Sequence, residues 1–373
     1  MRSARALLFT FLIIWSGILP VLSLQSSTGI SSYGTIDYST TGLLRWHVDG
    51  KYLKDANGNI VILRGVNLQQ DYWWDTDVAY NENQFIYMEN WGINSVRITI
   101  WTSLLEVVGL NYAPLLTRLD NLINWANAHG IYVILSGWHA GGVVNGIWTN
   151  SPPRYMEGQR WTWQQWYDWW ALLAARYASK NIIYDVYNEP LEWGFADHQT
   201  RIRTVIDNYI RPNDPDSIVM VEAISPDSDW THQNFLFEQT YPINRSNVIF
   251  DFHIYGSEWA VNSQADIRTR LAGNYKGGYS TWMITNNRAV ISGEFGSDNT
   301  GNNPQSDAWC QTFISNFMAV LDTDGFSGYI AWLWFLKGAN YNVWHHNQLL
   351  ADWNGNPSSY GNVVKTHYLA PAS

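Results

Sequence analysis

Two glutamates follow apolar stretches of the kind that form buried strands. Glu189 stands in Asn188-Glu189-Pro190 after one such stretch, and Glu294 stands in Gly293-Glu294-Phe295 after another. A buried carboxyl group with fixed geometry can act as a general acid, and a carboxylate facing it can act as a nucleophile. Each glutamate alone is explained equally well as a solvated loop residue, so the chemical interpretation depends on the pair.

The elements that must position these glutamates form a regular series. Apolar runs of four to eight residues alternate with helical stretches, as expected for parallel strands covered by helices. The eight runs are 60–67, 95–100, 132–137, 182–187, 218–221, 248–253, 289–292 and 328–334. An open doubly wound sheet would require a glycine-rich phosphate loop after the first strand, and Arg64-Gly65-Val66-Asn67 is not followed by one. The pattern therefore predicts a (β/α)8 TIM barrel.

Helix and turn signals agree with this architecture. Residues 112–129 have apolar residues at helical spacing and end at Gly130, and a second helix is predicted over 163–177. Thr162 with Gln165 forms a capping box for the second helix. Before the barrel, two short alternating segments meet at Asp49-Gly50 and a third follows Ala56-Asn57-Gly58-Asn59, which predicts a small N-terminal β-hairpin.

Polar and aromatic side chains recur where the predicted strands end. They are Arg97, His139, Asn188, Glu189, His253, Tyr255, Glu294, Trp332 and Trp334. Each has an ordinary structural explanation, such as a paired core arginine or a histidine with satisfied hydrogen bonds. Barrel enzymes, however, assemble their sites from such positions on several strands.

This ordered set resembles glycoside hydrolase family 5, a retaining family with catalytic glutamates on the fourth and seventh strands. The resemblance covers about residues 44–334. It implies that Glu189 is the acid/base and Glu294 the nucleophile. It also implies that Asn188 binds the sugar 2-hydroxyl, and that Arg97 and Tyr255 keep Glu294 ionised by lowering its pKa. Retention of anomeric configuration follows, with carboxyl groups about 5 to 5.5 Å apart.

The remaining site residues are assigned by the same resemblance. His139 and His253 are expected to line the reacting subsite, and Trp332 resembles the ring beneath the sugar, with Trp334 as the alternative. Thr99 stands where the family commonly has proline, and Gly137 where it commonly has aspartate. Three further acids near strand ends are expected to be rim or supporting groups: Glu192, Glu222 and Glu258.

Composition limits the partners. A net charge of -10 and the absence of a Lys/Arg run argue against nucleic acid. The single cysteine, Cys310, and the lack of HExxH spacing predict no disulfide, no catalytic metal and no cofactor. No protein partner is evident.

The substrate is expected to be a neutral β-linked polysaccharide. Charged residues make up only 14% of the chain and aromatics 16%, and tryptophans recur in the loops that follow the strands. These are Trp73, Trp74, Trp101, Trp138, Trp148, Trp193, Trp230 and Trp259. Aromatic rings fit the apolar faces of sugars. An endo-β-1,4-glucanase is the main hypothesis. The alternatives are an endo-β-1,4-mannanase, a non-catalytic glycan-binding protein and a metal-dependent polysaccharide deacetylase or hydrolase.

The N-terminal residues predict export. Arg2 and Arg5 precede an apolar run, so residues 1–23 are interpreted as a signal peptide, with an uncleaved membrane anchor as the alternative. Residues 24–43 are rich in Ser, Thr and Gly and are expected to be a linker. The catalytic domain is then 44–373. We expect a secreted protein.

Overall fold

The computed structural model describes most of the chain from Arg45 onward. The described residues are 45–70, 80–101, 112–138, 143–144, 147–148, 163–178, 180–190, 194–225, 233–273, 278–297, 306–334 and 348–370. The predicted signal peptide and linker lie outside them. So do His139, Glu192, Thr162 and four of the eight loop tryptophans, Trp73, Trp74, Trp193 and Trp230.

Eight parallel strands close into a barrel in chain order, which confirms the predicted (β/α)8 fold. Each strand pairs with the next, and the eighth pairs with the first. The barrel strands are Leu63–Gln70, Ser95–Trp101, Tyr132–Trp138, Ile182–Asp185, Ile218–Glu222, Val248–Tyr255, Val290–Gly296 and Gly328–Ala331. Because these strands are buried on both faces, their sequences are almost continuously apolar.

Helices cover the outside of the barrel. Those described are Glu82–Asn90, Tyr112–Ala128, Trp163–Arg176, Phe195–Val205 with a π-helical continuation Ile206–Ile210, Phe237–Thr240, Gly256–Trp259, Gln264–Ala272, Tyr279–Asn286, Asp307–Asp324 and Ser359–Leu369. Both predicted helices are present, and the predicted apolar positions of the first are buried. Gly130 ends that helix with a φ of 72°, a left-handed conformation that favours glycine. Within the described residues, no helix has the length and hydropathy needed to cross a membrane.

The amino end of the barrel is covered by a three-stranded antiparallel sheet, which contains the predicted hairpin. Its strands are His47–Asp49, Tyr52–Lys54 and Ile60–Val61. The first barrel strand begins at Leu63 and not at Ile60 as predicted, because Ile60 belongs to this sheet and is 57% exposed. Trp46 stacks on Tyr132 with ring centroids 3.3 Å apart, and it packs with apolar side chains of the barrel strands.

Candidate active site

Glu294 is aimed by a β-bulge in the seventh barrel strand. The register with the sixth strand shifts so that Ser292 pairs with Phe252 and Glu294 with His253, which leaves Gly293 unpaired. The Gly293 amide donates instead to the carboxylate of Asp251. A Cβ atom at Gly293 would lie 2.1 Å from Asp251 Oδ2, so this position requires glycine. The bulge turns the glutamate that follows it out of the regular strand alternation.

Two donors hold the Glu294 carboxylate. Arg97 Nη1 donates to Oε1 at 2.8 Å, and the Tyr255 hydroxyl donates to Oε2 at 2.8 Å. Burial raises the pKa of Tyr255 well above its usual value, and the charges of Glu294 and Glu189 add to this effect, so the phenol remains a donor. Both oxygens of Glu294 are thereby fixed in direction.

Glu189 follows the fourth barrel strand with an unusual backbone conformation. Its φ is 49°, in the left-handed region that a residue with a side chain adopts at a cost of about 1–3 kcal/mol. Its backbone amide donates to Glu222 Oε2 at 2.6 Å, and its carboxyl oxygen Oε1 lies 2.9 Å from His253 Nδ1. Its side chain is 19% exposed, whereas that of Glu294 is 3% exposed.

The two glutamates meet at His253. One carboxylate oxygen of Glu189, one of Glu294 and a ring nitrogen of His253 all lie within 4.8 Å of one another. The fourth and seventh strands of the barrel thus bring two carboxyl groups together in the way that the sequence predicted.

Arg97 is the centre of a buried polar network. It is fully buried, and its guanidinium donates to five side chains over distances of 2.6 to 3.0 Å. The acceptors are Asn67, Asp185, Asn188, Glu222 and Glu294. Burial opposes the charged form, but the neighbouring carboxylates, led by Asp185, more than offset it and raise the pKa of Arg97. A planar fork of five N–H groups suits this role better than a lysine ammonium.

His253 links the carboxylates of three strands. Its Nε2 lies 3.2 Å from Asp251 Oδ2 and 3.3 Å from Glu222 Oε1, and its Nδ1 faces Glu189. Burial disfavours its charge, but Glu222, Glu294 and Asp251 outweigh that effect and raise its pKa well above the usual value. A protonated imidazole donates from both nitrogens, which matches its acceptors on either side.

The cluster holds more carboxylates than cations. Burial raises the pKa of Glu222, Asp185 and Glu294, because desolvation and mutual repulsion penalise several charges in one enclosed site. The expectation that Arg97 and Tyr255 would give Glu294 a lowered pKa is therefore wrong. Both donors and His253 stabilise its charge, but burial is the larger effect.

Asn188 lies beside the paired glutamates. Its side-chain oxygen accepts from Arg97 Nη2 at 2.6 Å, and its backbone amide donates to the Gly137 carbonyl. The side-chain nitrogen Nδ2 is buried and has no hydrogen-bond partner among the described residues. An oriented amide donor next to two carboxyl groups can serve a hydroxyl of a bound ligand.

Both tryptophans that follow the eighth strand are buried, Trp334 at 1% and Trp332 at 7% exposure. The strand ends at Ala331, so Trp332 and Trp334 do not share a strand face. Trp334 is buried in the core, where its indole donates to Gln84 and meets Trp91 edge to face. It is therefore excluded as a sugar platform. Trp332 adjoins the seventh strand through a backbone hydrogen bond to Phe295.

Two other sequence expectations change. Trp259 was predicted in a loop at the rim of a cleft, but it is 1% exposed and packs against Phe317 in the core. Gly137 is explained by packing: a Cβ there would lie 2.8 Å from the ring of Trp170. Many of the described tryptophans are core residues, so the aromatic excess reflects packing as well as any ligand.

Asn67, Asp185 and Asp251 were not selected from the sequence, although they build the site. Each interrupts an otherwise apolar strand, in Gly-Val-Asn-Leu, Ile-Tyr-Asp-Val and Ile-Phe-Asp-Phe respectively. A charged residue within a buried strand requires a buried partner, and that signal could have identified both aspartates.

Comparison with known proteins agrees with this fold. The sequence model of cellulase (glycosyl hydrolase family 5) matches residues 54–337, well over half of the chain. The chain belongs to glycosyl hydrolase family 5. Endoglucanase E-5 of Thermobifida fusca is a curated family 5 relative, 29% identical over 218 residues that cover 56% of this chain and 42% of that protein. The chain therefore matches less than half the length of this relative.

Two further similarities have broader coverage. A mannan endo-1,4-β-mannosidase of Cellvibrio japonicus is 23% identical over 354 residues, covering 90% of this chain and 69% of that protein. The crystal structure of a β-glucanase from Saccharophagus degradans in complex with cellotetraose superimposes with a TM-score of 0.69 at 20% identity. That alignment covers 90% of this family 5 chain and 96% of the other chain, and it shows a shared fold.

Proposed function

We propose that this family 5 protein is a retaining glycoside hydrolase that cleaves internal β-1,4 linkages of a neutral glucan, an endo-β-1,4-glucanase. The observation that carries the proposal is the approach of Glu189 and Glu294, which bring one carboxylate oxygen each to within 4.8 Å of the other. Retaining enzymes separate their carboxyl groups by about 5 to 5.5 Å, whereas inverting enzymes leave about 6.5 to 9.5 Å for a water molecule.

In the first step, Glu294 attacks the anomeric carbon while Glu189 gives its proton to the departing glycosidic oxygen. The C–O bond to the leaving sugar breaks as the bond from Glu294 Oε forms, which produces a glycosyl-enzyme. Arg97 and Tyr255 aim the attacking carboxylate through their hydrogen bonds. Asn188 Nδ2 is the donor for the sugar 2-hydroxyl, and Trp332 is the ring beneath the reacting sugar.

In the second step, Glu189 takes a proton from water, and the resulting nucleophile releases the sugar from Glu294. Loss of the Glu294 charge in the intermediate favours this role of Glu189 as a base. His253 contacts Glu189 and faces Glu294, so it can stabilise whichever of the two carboxylates is charged in each step. The anomeric configuration is inverted twice and hence retained.

A glucan is proposed as the substrate because the most similar relative described above is an endoglucanase. The mannosidase relative aligns over more of the chain, and one axial hydroxyl distinguishes the two polymers. Galactomannan therefore belongs in the assay.

The test is release of reducing sugar from carboxymethyl cellulose, lichenan, galactomannan, xylan and laminarin by the wild type and by Glu294→Gln. The expected result is activity on the first two polymers that the substitution abolishes. Glu238→Gln is the matched control, because Glu238 is a half-buried glutamate outside the site that accepts the Ile243 amide. Activity on galactomannan alone would transfer the proposal to a mannanase. Polymer binding without hydrolysis would leave a glycan-binding protein.

Proton NMR of the first product tests the stereochemistry. Retention requires that the newly formed reducing end appears first as the β-anomer and mutarotates afterwards. Initial appearance of the α-anomer would refute the double displacement.

We also propose that the protein is secreted, because polymeric glucans do not cross membranes. The charge and hydropathy pattern of residues 1–23 supports this proposal. N-terminal sequencing of protein from the medium would test the cleavage, and protein found only in the membrane fraction would indicate an anchor.

A further inference from the structure

Glu222, at the end of the fifth barrel strand, contacts the supports of both paired glutamates. Its Oε2 accepts the backbone amide of Glu189 at 2.6 Å. Its Oε1 accepts from Arg97 Nη2 at 2.9 Å, and Arg97 in turn donates to Glu294. The Glu222 side chain has no exposed surface, so neither contact is exchanged with water.

The contact with the Glu189 amide has a geometric consequence. Glu189 has a φ of 49°, and a non-glycine residue maintains that conformation only when its surroundings impose it. The carboxylate of Glu222 accepts from the backbone amide of Glu189, and the ring of His253 contacts the Glu189 side chain. The backbone contact determines the direction in which the Glu189 side chain leaves the main chain.

A simple buried ion pair would explain only part of this arrangement. An acid needed solely to balance Arg97 could reach it without contacting Glu189, as Asp185 does with two guanidinium contacts to one oxygen. Glu222 instead divides its two oxygens between the guanidinium and the Glu189 amide. An amide side chain offers one acceptor and one donor, so a glutamine could satisfy only one of these contacts.

We propose that Glu222 is a positioning residue that acts through Glu189. It holds the backbone of the acid/base in its left-handed conformation. It also fixes the position of Glu189 relative to Arg97, which supports Glu294. The inference rests on the proposed glycosidase function. It assigns to the fifth strand a role in proton transfer, although Glu222 does not touch the substrate.

The test compares Glu222→Gln with the wild type on aryl β-cellobiosides whose leaving groups differ in acidity. A 2,4-dinitrophenolate departs without a proton, whereas a phenolate needs one from the acid. If Glu222 acts through Glu189, kcat/KM for phenyl β-cellobioside falls by about tenfold or more, since general acid catalysis contributes about 10²- to 10⁴-fold. The value for the dinitrophenyl compound stays within about threefold, because that reaction does not need the acid. Glu238→Gln leaves both values unchanged.

Rescue by azide is a second test. It attacks a glycosyl-enzyme without a general base, so it raises the turnover of Glu222→Gln on the dinitrophenyl substrate and yields a β-glycosyl azide. Wild type gains nothing. Equal losses on both substrates without azide rescue would overturn the proposal, because they indicate a defect in Glu294 or in the fold. Unchanged rates on both would overturn it as well.

The backbone of the variant gives a readout that does not depend on activity. In a crystal structure of Glu222→Gln we expect Glu189 to leave the left-handed region or to lose its contact with His253. If wild type cleaves no glycoside, the proposed function fails, and this structure still decides the positioning role. An unchanged Glu189 backbone and side chain would overturn it. Glu222→Asp replaces the glutamine variant if the latter does not fold.

Discussion

The Tyr255 hydroxyl donates to Oε2 of Glu294 at 2.8 Å, and Arg97 holds the other oxygen of the same carboxylate. The phenol comes from the end of the sixth strand and the guanidinium from the second strand, so three strands fix one carboxylate. Rotation of Glu294 about its last bond is thereby restricted before any ligand binds, which is the preorganisation that an attacking group requires.

Replacement of Tyr255 by phenylalanine should shift the acid limb of the pH profile. The hydroxyl stabilises ionised Glu294, so its removal raises the pKa of Glu294. As pH falls, the active, ionised form of Glu294 is then lost at a higher pH than in the wild type. A hydrogen bond to a charged group is worth about 1.5–3 kcal/mol, so kcat/KM should fall at least about tenfold, with a limb displaced by about one unit. The measurement is kcat/KM against pH. Tyr329→Phe is the control, because Tyr329 donates to Asp322 away from the site. An unmoved limb in Tyr255→Phe would contradict the prediction.

The two tryptophans after the eighth strand should give opposite phenotypes. Trp334→Ala removes a core side chain and the indole donor to Gln84, so we expect a loss of about 3–5 kcal/mol in the free energy of unfolding. Trp332→Ala should lower kcat/KM on polymer, whereas the folded fraction of Trp334→Ala should keep it. Denaturant unfolding and polymer kinetics on both variants check this. Equal stability losses with equal activities would show that the roles assigned to the two rings are wrong.

Arg97→Lys should destabilise the protein strongly, although the substitution keeps the positive charge. A lysine cannot reach the five acceptors of the guanidinium, and buried carboxylates left without a partner cost about 3–5 kcal/mol. Arg245→Lys is the contrast, because Arg245 pairs with Asp207 at the surface, where ion pairs contribute about 0–1 kcal/mol. Urea unfolding of both variants measures the difference, and similar midpoints would contradict it.

Glu238 should make stability depend on pH. Burial raises its pKa from 4.5 to about 7. Between these values the unfolded chain releases the proton and the folded protein keeps it, so the free energy of unfolding falls as pH rises. The wild type should lose about 3 kcal/mol more than Glu238→Gln between pH 4.5 and 7. Unfolding curves across this range provide the measurement, and parallel pH dependence in the two proteins would refute it.

The barrel and the paired glutamates were predictable because they depend on local patterns. Apolar runs at regular spacing define the strands, and residues at strand ends meet at one rim. The bulge at Gly293 was not predictable, because it depends on the Asp251 side chain replacing a strand partner for one amide. The pKa of Glu294 was predicted in the wrong direction, since sequence identifies donors but does not measure burial.

The environment of Trp334 was missed for a related reason. Strand alternation predicts that residues two apart share a face, but this strand ends before both tryptophans. Beyond the end of a strand, side-chain direction is determined by tertiary contacts, here with Gln84 and Trp91.

The sheet that covers the amino end of the barrel sets a limit to proteolytic trimming. Arg45 pairs with Asp214, and Trp46 stacks on Tyr132, so both residues help to close the barrel. Cleavage after Trp46 would remove both contacts and expose the apolar side chains of Ile134, Ile183 and Ile291 to water. A stable enzyme therefore requires contacts at the end of the barrel opposite to its chemistry.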